Sequence, residues 1–340
     1  MKRKTVLLWI AAVMAGLLVI TAFLFKLSPF PGAMVIRAVF TMNGSKSHKR
    51  LLPFEPSTAV ATVSNQQYQS GNKDALLDVY YPKSIEGSHQ RLPVIIWTHG
   101  GAWLAGNKRD AAPYYKLLAA RGYIVVAPNY SLAPGSRYPK PVHELNDAHA
   151  YVLANAQKFY ADTSKIILAG DSAGAQLSSQ MAALITNQDY AAEVGVQPAL
   201  LPQQLKGVVL NCGIYQMEGL TQPNPTLPKI VGWGEDVSVW AYSGTKDGND
   251  PVIKQMSAYY HVTKDFPPTY ISGGNGDPLT KAQSMPFATK LQSLGVPVTA
   301  LFYADDHKPA LPHEYQFNLT NQDGQNALEA TVNFVAERTR

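Results

Sequence analysis

The sequence predicts an α/β domain: a mostly parallel central sheet flanked by helices, with a helical cap insertion and an N-terminal transmembrane helix outside it. Three observations carry the sheet. Eight short runs rich in β-branched and aromatic residues recur from residue 61 onward. From residue 93 they alternate with stretches whose apolar residues fall at helical spacing, the pattern of right-handed crossovers between parallel strands. The runs VII (94–96) and IIL (166–168) are unbroken and apolar, as strands buried on both faces require.

Lys2-Arg3-Lys4 opens the chain and is followed by TVLLWIAAVMAGLLVITAFLF, residues 5–25, without a charge. At about 1.5 Å of rise per residue such a run matches the hydrocarbon thickness of a bilayer. A cleaved signal peptide is the rival, but its apolar core is shorter and ends at a small-x-small site, which Phe23-Leu24-Phe25-Lys26-Leu27 does not offer. Residues 1–26 are therefore expected to be an uncleaved single-helix anchor, basic end in the cytoplasm and the rest extracytoplasmic; secretion after cleavage is the alternative.

Residues 27–60 read as a connector and possible cap segment. Met34, Val35, Ala38, Val39 and Met42 form one helical face that is expected to stop at Asn43-Gly44. Simple docking of this helix on the domain is the preferred reading over packing above a binding site or lying on the membrane surface.

The domain proper is expected over 61–340. Strands are predicted at 61–68, 76–82, 93–100, 123–130, 165–170, 206–213, 268–274 and 298–304, the first two close enough for an antiparallel start. Helices are predicted at 110–121, 141–160, 173–187, 281–294 and 324–339. Residues 214–262 break the alternation with prolines, Trp233 and Trp240, and read as the helical cap insertion.

The net charge of +5 does not point to nucleic acid, because residues 1–50 hold eight basic and no acidic side chains. The remainder is mildly acidic. A lone cysteine, Cys212, excludes an internal disulfide and any multi-cysteine zinc site.

Chemistry enters at Gly170-Asp171-Ser172-Ala173-Gly174. Ser172 follows the apolar strand KIILAG and precedes a helix on which Leu177, Met181, Leu184 and Ile185 recur. Strand, sharp turn and helix are the setting of a nucleophile elbow, and the helix start points its amides at any negative charge formed there. A second signal is His99-Gly100-Gly101-Ala102-Trp103, directly after the strand PVIIWT. Acyl transfer builds negative charge on a carbonyl oxygen, and the amides of Gly100, Gly101 and Ala173 are the expected oxyanion hole. His99 is read as a support for that loop. His143 and His149 are read as ordinary helix residues.

HGGAW at 99–103, NYSLAPGSRYP at 129–139, GDSAG at 170–174 and GNGDPL at 274–279 together resemble the α/β-hydrolase fold, more narrowly the hormone-sensitive-lipase-like and acetyl-esterase group. The resemblance covers roughly 61–340. It implies carboxylic ester hydrolysis through an acyl-enzyme, with a triad in the order Ser, Asp, His and no cofactor or metal. Asn129-Tyr130-Ser131 departs from the Asp-Tyr-Arg of many members, and the segments 27–60 and 214–262 match nothing in the group.

The acid is expected at Asp277, which follows the strand PTYISGG and sits in the group's Asp-Pro-Leu pattern. Two histidines follow it. His313, in HEYQF, resembles the group's ending and leaves a short run to the last helix; His307 matches members without an insertion and stays open as the alternative base. Trp103 is a candidate for an acyl pocket, with Trp233, Trp240 and Tyr242. The expected partner is a small-molecule ester, of short to medium acyl chain, with the membrane as the other contact; no nucleic acid is expected, and the oligomeric state is not legible. Acetyl or feruloyl esters of cell-surface carbohydrate are an alternative substrate. A catalytically inert binding protein on the same scaffold is the reading from another class.

Overall fold

A computed structural model describes residues 2–56, 59–222, 225 and 227–340. All eight predicted runs form strands: β1 (Val60–Gln67), β2 (Leu76–Pro82), β3 (Leu92–Thr98), β4 (Ile124–Pro128), β5 (Ala161–Asp171), β6 (Leu205–Asn211), β7 (Thr269–Gly273) and β8 (Val298–Phe302). They make one sheet in the order β1-β2-β4-β3-β5-β6-β7-β8. β2 runs antiparallel to both β1 and β4, and every other pair is parallel. The crossover of β3 and β4 follows from the helix α3 (Ala112–Ala120) carrying the chain outward before the order reverses.

Side chains alternate across the sheet as strand geometry demands. Ile95, Trp97, Ile167, Val209 and Tyr270 pack with α3 and with α10 (Gln322–Thr339), through Leu118, Phe334 and Val335. Val94, Ile96, Leu168, Leu210 and Ile271 pack on the opposite face with α4 (Lys140–Ala154), α5 (Ala173–Thr186) and α9 (Met285–Ser293), through Leu145, Met181 and Phe287. Each such fully buried side chain contributes about 1.5–3 kcal/mol.

Register then places the site. Thr98 pairs with Gly170, Gly170 with Leu210, and Leu210 with Ile271. The carboxyl ends of β3, β5, β6 and β7 therefore finish side by side, and the loops beginning at His99, Ser172, Cys212 and Gly274 open on one edge, where open α/β sheets gather their sites.

Between β5 and β6 lies a short helix the sequence reading did not foresee, α6 (Gln188–Val194), and between β6 and β7 lie α7 (Lys229–Ser243) and α8 (Pro251–Gln255). The N-terminal helices are α1 (Lys2–Leu27) and α2 (Phe30–Leu51). α2 corrects the expectation for the connector in two ways. It runs on through Asn43-Gly44 to Leu51, and it buries Gly32, Ala33, Ile36 and Leu51 while Met34, Val35, Val39 and Met42 stay exposed. The reason is tertiary. A glycine costs a helix only about 1 kcal/mol, and small residues let α2 approach its neighbours. A Cβ on Gly32 would lie 3.0 Å from Val237 of α7, and one on Gly44 would lie 2.8 Å from the Asp110 carboxylate. Arg37 fixes the helix by donating from Nε to the Leu104 carbonyl and from a terminal nitrogen to the Ala133 carbonyl, each at 2.6 Å.

The expected membrane anchor, residues 1–26, takes in residue 1 and side chains at 2–5, 18, 19 and 22 that lie outside the described residues. Among the described residues no helix is long and apolar enough to cross a membrane.

Candidate active site

β5 ends at Asp171 and α5 begins at Ala173, so the whole turn is Ser172, at φ 52° and ψ −123°. A non-glycine residue in that region stores about 1–3 kcal/mol and persists only where its surroundings over-determine it. They do here. A Cβ on Gly170 would lie 2.4 Å from the Gly174 backbone, and one on Gly174 would lie 2.0 Å from the Thr98 carbonyl oxygen. Both glycines are thus sites where chain crosses chain. The Ser172 N–H donates to the Asn211 carbonyl at 2.9 Å, tying the turn to β6.

The loop after β3 is strained in the same sense, with φ 111° at Gly101, 54° at Ala102 and 60° at Trp103. Here one expectation is corrected. The Gly100 N–H is donated to Asp171 Oδ2 at 2.9 Å, so it is not free for an oxyanion; the other oxygen of that carboxylate accepts from Trp97 Nε1 at 2.7 Å. Among the described residues the N–H groups of Gly101, Ala102 and Ala173 have no protein partner. Burial, and then the nearby Glu314 charge, push the Asp171 carboxyl well above its ordinary value, against the pull of its two donors.

His99 supports this loop from beneath. Its Nδ1–H donates to the Gly100 carbonyl at 2.8 Å and its ring stacks on Tyr130 at 4.4 Å between centroids. Burial pushes its pKa down to about 4, which keeps it neutral. The Asn129-Tyr130-Ser131 segment has its own partners. Asn129 Oδ1 accepts the Lys108 N–H at 2.6 Å, and Ser131 gives both its N–H and its hydroxyl to the buried Glu144 carboxylate.

Asp277 and His313 meet. The His313 Nδ1–H donates to Asp277 Oδ2 at 2.8 Å, and Asp277 Oδ1 accepts the Leu279 N–H at 3.0 Å. Asp277 is buried, whereas the His313 side chain keeps 31% of its surface open. Burial acts to lower the imidazole pKa, but the adjoining Cys212 sulfur and the Asp277 carboxylate outweigh it, and the ring is held well above its ordinary value. His307 is engaged elsewhere: its Nε2–H donates to Asp323 Oδ2 at 3.0 Å, in the first turn of α10. Of the two candidate bases, the structure brings His313 and not His307 to Asp277.

Trp103, expected in an acyl pocket, is buried beneath the loop instead. Its indole donates to Gln176 Oε1 at 2.9 Å and stacks on Tyr242 at 5.0 Å, so both aromatics are pillars of the core. Trp233 packs at Gly32 of α2, and Trp240 carries the Lys246 ammonium over its ring. His143 is exposed and His149 buried on α4. A small cavity of about 50 Å³ lies behind the His99-Gly100-Gly101 loop, lined by Phe40, Asn43 and Gly44 of α2 and by Glu314; neither Ser172 nor His313 lines it.

Two site neighbours escaped the sequence reading. Glu314, at φ 58°, stands between His313 and Asp171. Cys212 follows β6 directly and offers its sulfur within 4.8 Å of ligand atoms of both Asp277 and His313. Its place after the strand KGVVLN was a usable signal, since side chains at strand carboxyl ends reach such sites.

The chain is similar to known esterases. The BD-FAE family, an α/β-hydrolase-fold esterase family, matches residues 77–291. The carboxylesterase NlhH of Mycobacterium tuberculosis is 35% identical over 249 residues, covering 72% of each chain. The esterase LipC of the same organism is 30% identical over 223 residues, 64% of this chain, which spans only 52% of LipC's length. Among solved structures, esterase B from Lactobacillus rhamnosis superposes with a TM-score of 0.76 at 20% identity, covering 89% of this chain and 96% of the other.

Proposed function

The chain belongs to the BD-FAE family of α/β-hydrolase-fold esterases, and from that premise we propose that it hydrolyses carboxylic esters through a Ser172–His313–Asp277 triad. Two observations support the reading: the strained turn at Ser172, at the carboxyl end of β5, and the His313–Asp277 hydrogen bond in the loops beyond the carboxyl ends of β7 and β8 of the same sheet. Asp277 holds the imidazole with its proton on Nδ1, which leaves Nε2 to take the Ser172 proton as the hydroxyl oxygen attacks the ester carbonyl. The amides of Gly101 and Ala173, with Ala102 beside them, receive the developing oxyanion; a single such donor is worth about 2.7–4 kcal/mol. His313 then protonates the departing alcohol, and water repeats the cycle to release the acid. Residues 214–262 and α2 act as the cap that selects the ester, acyl chains being short to medium.

The test is hydrolysis of p-nitrophenyl esters from acetate upward, alongside acetylated and feruloylated sugars, by the full chain and by Ser172→Ala. Turnover by the first and none by the second is expected. A well-folded wild-type chain that is silent on every ester would replace this reading with that of an inert binding scaffold.

We also propose that α1 anchors the chain in a membrane with the catalytic domain extracytoplasmic. Its described apolar side chains, among them Leu7, Trp9, Ile10 and Leu17, are exposed around the helix rather than packed on the domain. The exposed face of α2, with Phe30 and Met42, extends the apolar surface. Retention in the membrane fraction through alkaline carbonate washing is expected; release by that wash would reject the anchor.

A further inference from the structure

Resting on the triad reading above, we infer that Cys212, His313 and Asp277 form a site for a thiophilic divalent cation, of which Zn²⁺ is the representative, and that its occupation switches the enzyme off. One ligand atom from each of the three side chains lies within 4.8 Å of those of the other two. Zinc bound by one sulfur, one nitrogen and one carboxylate oxygen needs metal–ligand distances of about 2.3, 2.0–2.1 and 2.0–2.2 Å. Donors already this close need only small shifts to reach them. Three protein ligands leave the fourth tetrahedral position for water, which enters over the exposed edge of His313.

The donor set selects the metal. A thiolate beside an imidazole favours zinc and its soft congeners, while Mg²⁺ and Ca²⁺ demand oxygen cages that this site does not supply. The amide of Gln316 faces the sulfur. Gln316 Nε2 lies 4.0 Å from Cys212 Sγ, and the buried Gln316 Oε1 has no partner among the described residues. Cys212 itself is buried at the end of β6, with its backbone at φ 44°, so the sulfur is fixed in place before any metal arrives.

Inhibition follows from the electron pairs. A metal on Nδ1 sends the proton there to Nε2, and a metal on Nε2 takes that lone pair directly; in either case, with Asp277 also engaged, His313 can neither accept the Ser172 proton nor be oriented by its carboxylate. Binding releases the Cys212 thiol proton to solvent. No bond is made or broken at Cys212 in the hydrolytic steps, and its sulfur acts on them only through the His313 pKa, so metal sensitivity can be removed there and compared on the alkaline plateau of each variant's own pH profile.

The experiment uses the full chain as wild type, Cys212→Ser, Cys212→Ala and Ser172→Ala. Ester hydrolysis is titrated with Zn²⁺ and Mg²⁺ and then treated with EDTA; Co²⁺ is added to each protein and followed by absorption. Zn²⁺ is expected to inhibit the wild type reversibly, Mg²⁺ to do nothing, and both Cys212 variants, each assayed on the plateau of its own pH profile, to stay active while losing roughly 100-fold or more in Zn²⁺ sensitivity, since even outer-shell changes cost 10–100-fold in metal affinity. Ser172→Ala is expected to show a thiolate-to-cobalt charge-transfer band that Cys212→Ser lacks. Equal inhibition of wild type and of both Cys212 variants, or no cobalt–thiolate band in Ser172→Ala, would overturn the site. The band without any wild-type esterase activity would keep the metal site and reject the triad reading; activity without the band would do the reverse. Circular dichroism of the two Cys212 variants separates loss of the ligand from loss of the fold.

Discussion

His313 and Asp277 are 36 residues apart in the chain, yet the imidazole Nδ1 stands 2.8 Å from Asp277 Oδ2. The carboxylate is itself fixed, because its second oxygen accepts the Leu279 N–H and the side chain is buried. An imidazole so held keeps one tautomer. Asp277→Asn should leave substrate binding nearly intact and lower kcat by about 10⁴, the size of effect that loss of this orientation has in a serine triad. His307→Ala is expected to change kcat little, since His307 is engaged by Asp323. Steady-state kinetics of the two variants on one p-nitrophenyl ester checks both; a large loss in His307→Ala would reassign the base.

The pH profile follows from the same pair. Burial lowers the His313 pKa, but Cys212 and Asp277 raise it further than burial lowers it, and it stands well above the ordinary 6.5. A general base must be neutral to accept a proton. Activity is therefore expected to be lost as pH falls through this raised value, so the acid limb of kcat/KM has its midpoint above 6.5. Any residual activity of Asp277→Asn should show the limb moved to lower pH. A wild-type limb at or below 6.5 would contradict the ion-pair environment.

Two glycine substitutions should act in opposite directions. A Cβ at Gly174 would lie 2.0 Å from the Thr98 carbonyl oxygen, a contact between two backbones that no rotamer relieves. Gly174→Ala is expected to abolish soluble expression or cost more than about 3 kcal/mol, at the upper end of single-site effects. Gly232, inside α7, has no neighbour within 4 Å of its would-be Cβ. Gly232→Ala is expected to stabilise by about 0.5–1 kcal/mol through the helical preference of alanine. Urea unfolding of each variant decides the matter.

Lys108 and Asp78 form a buried ion pair between β2 and the segment that follows the Gly100-Gly101 loop. Lys108 also donates to Asn65 Oδ1 at 2.9 Å. Burial pulls the lysine pKa down, while Asp78 opposes that shift. Removing only the carboxylate leaves an uncompensated charge, so Asp78→Ala should cost about 3–5 kcal/mol. Replacing both partners, Asp78→Leu with Lys108→Met, should recover most of it. A single variant as stable as wild type in urea would show that water reaches the lysine.

The elements legible in the sequence were those written in local pattern. Eight strands could be located because apolar and β-branched runs recur between turn residues, and Ser172 could be named because Gly170 and Gly174 mark a chain crossing whatever surrounds them. Asp277 was legible from the end of a strand. The choice between His307 and His313 was less so, because both lie in one irregular loop and differ only in which carboxylate each meets.

What the sequence determined by itself is therefore the strand pattern, the turn that holds Ser172 and the chemical types of the residues after each strand, all of which depend on neighbours within a few positions. Tertiary structure alone decided the rest. It assigned the Gly100 N–H to Asp171, sent Trp103 into the core, laid the exposed face of α2 opposite to the expected one, and brought Cys212 to His313. Each of those outcomes is a contact between segments far apart in the chain. Periodicity and spacing carry no term for such contacts; the register of β3, β5, β6 and β7 sets them.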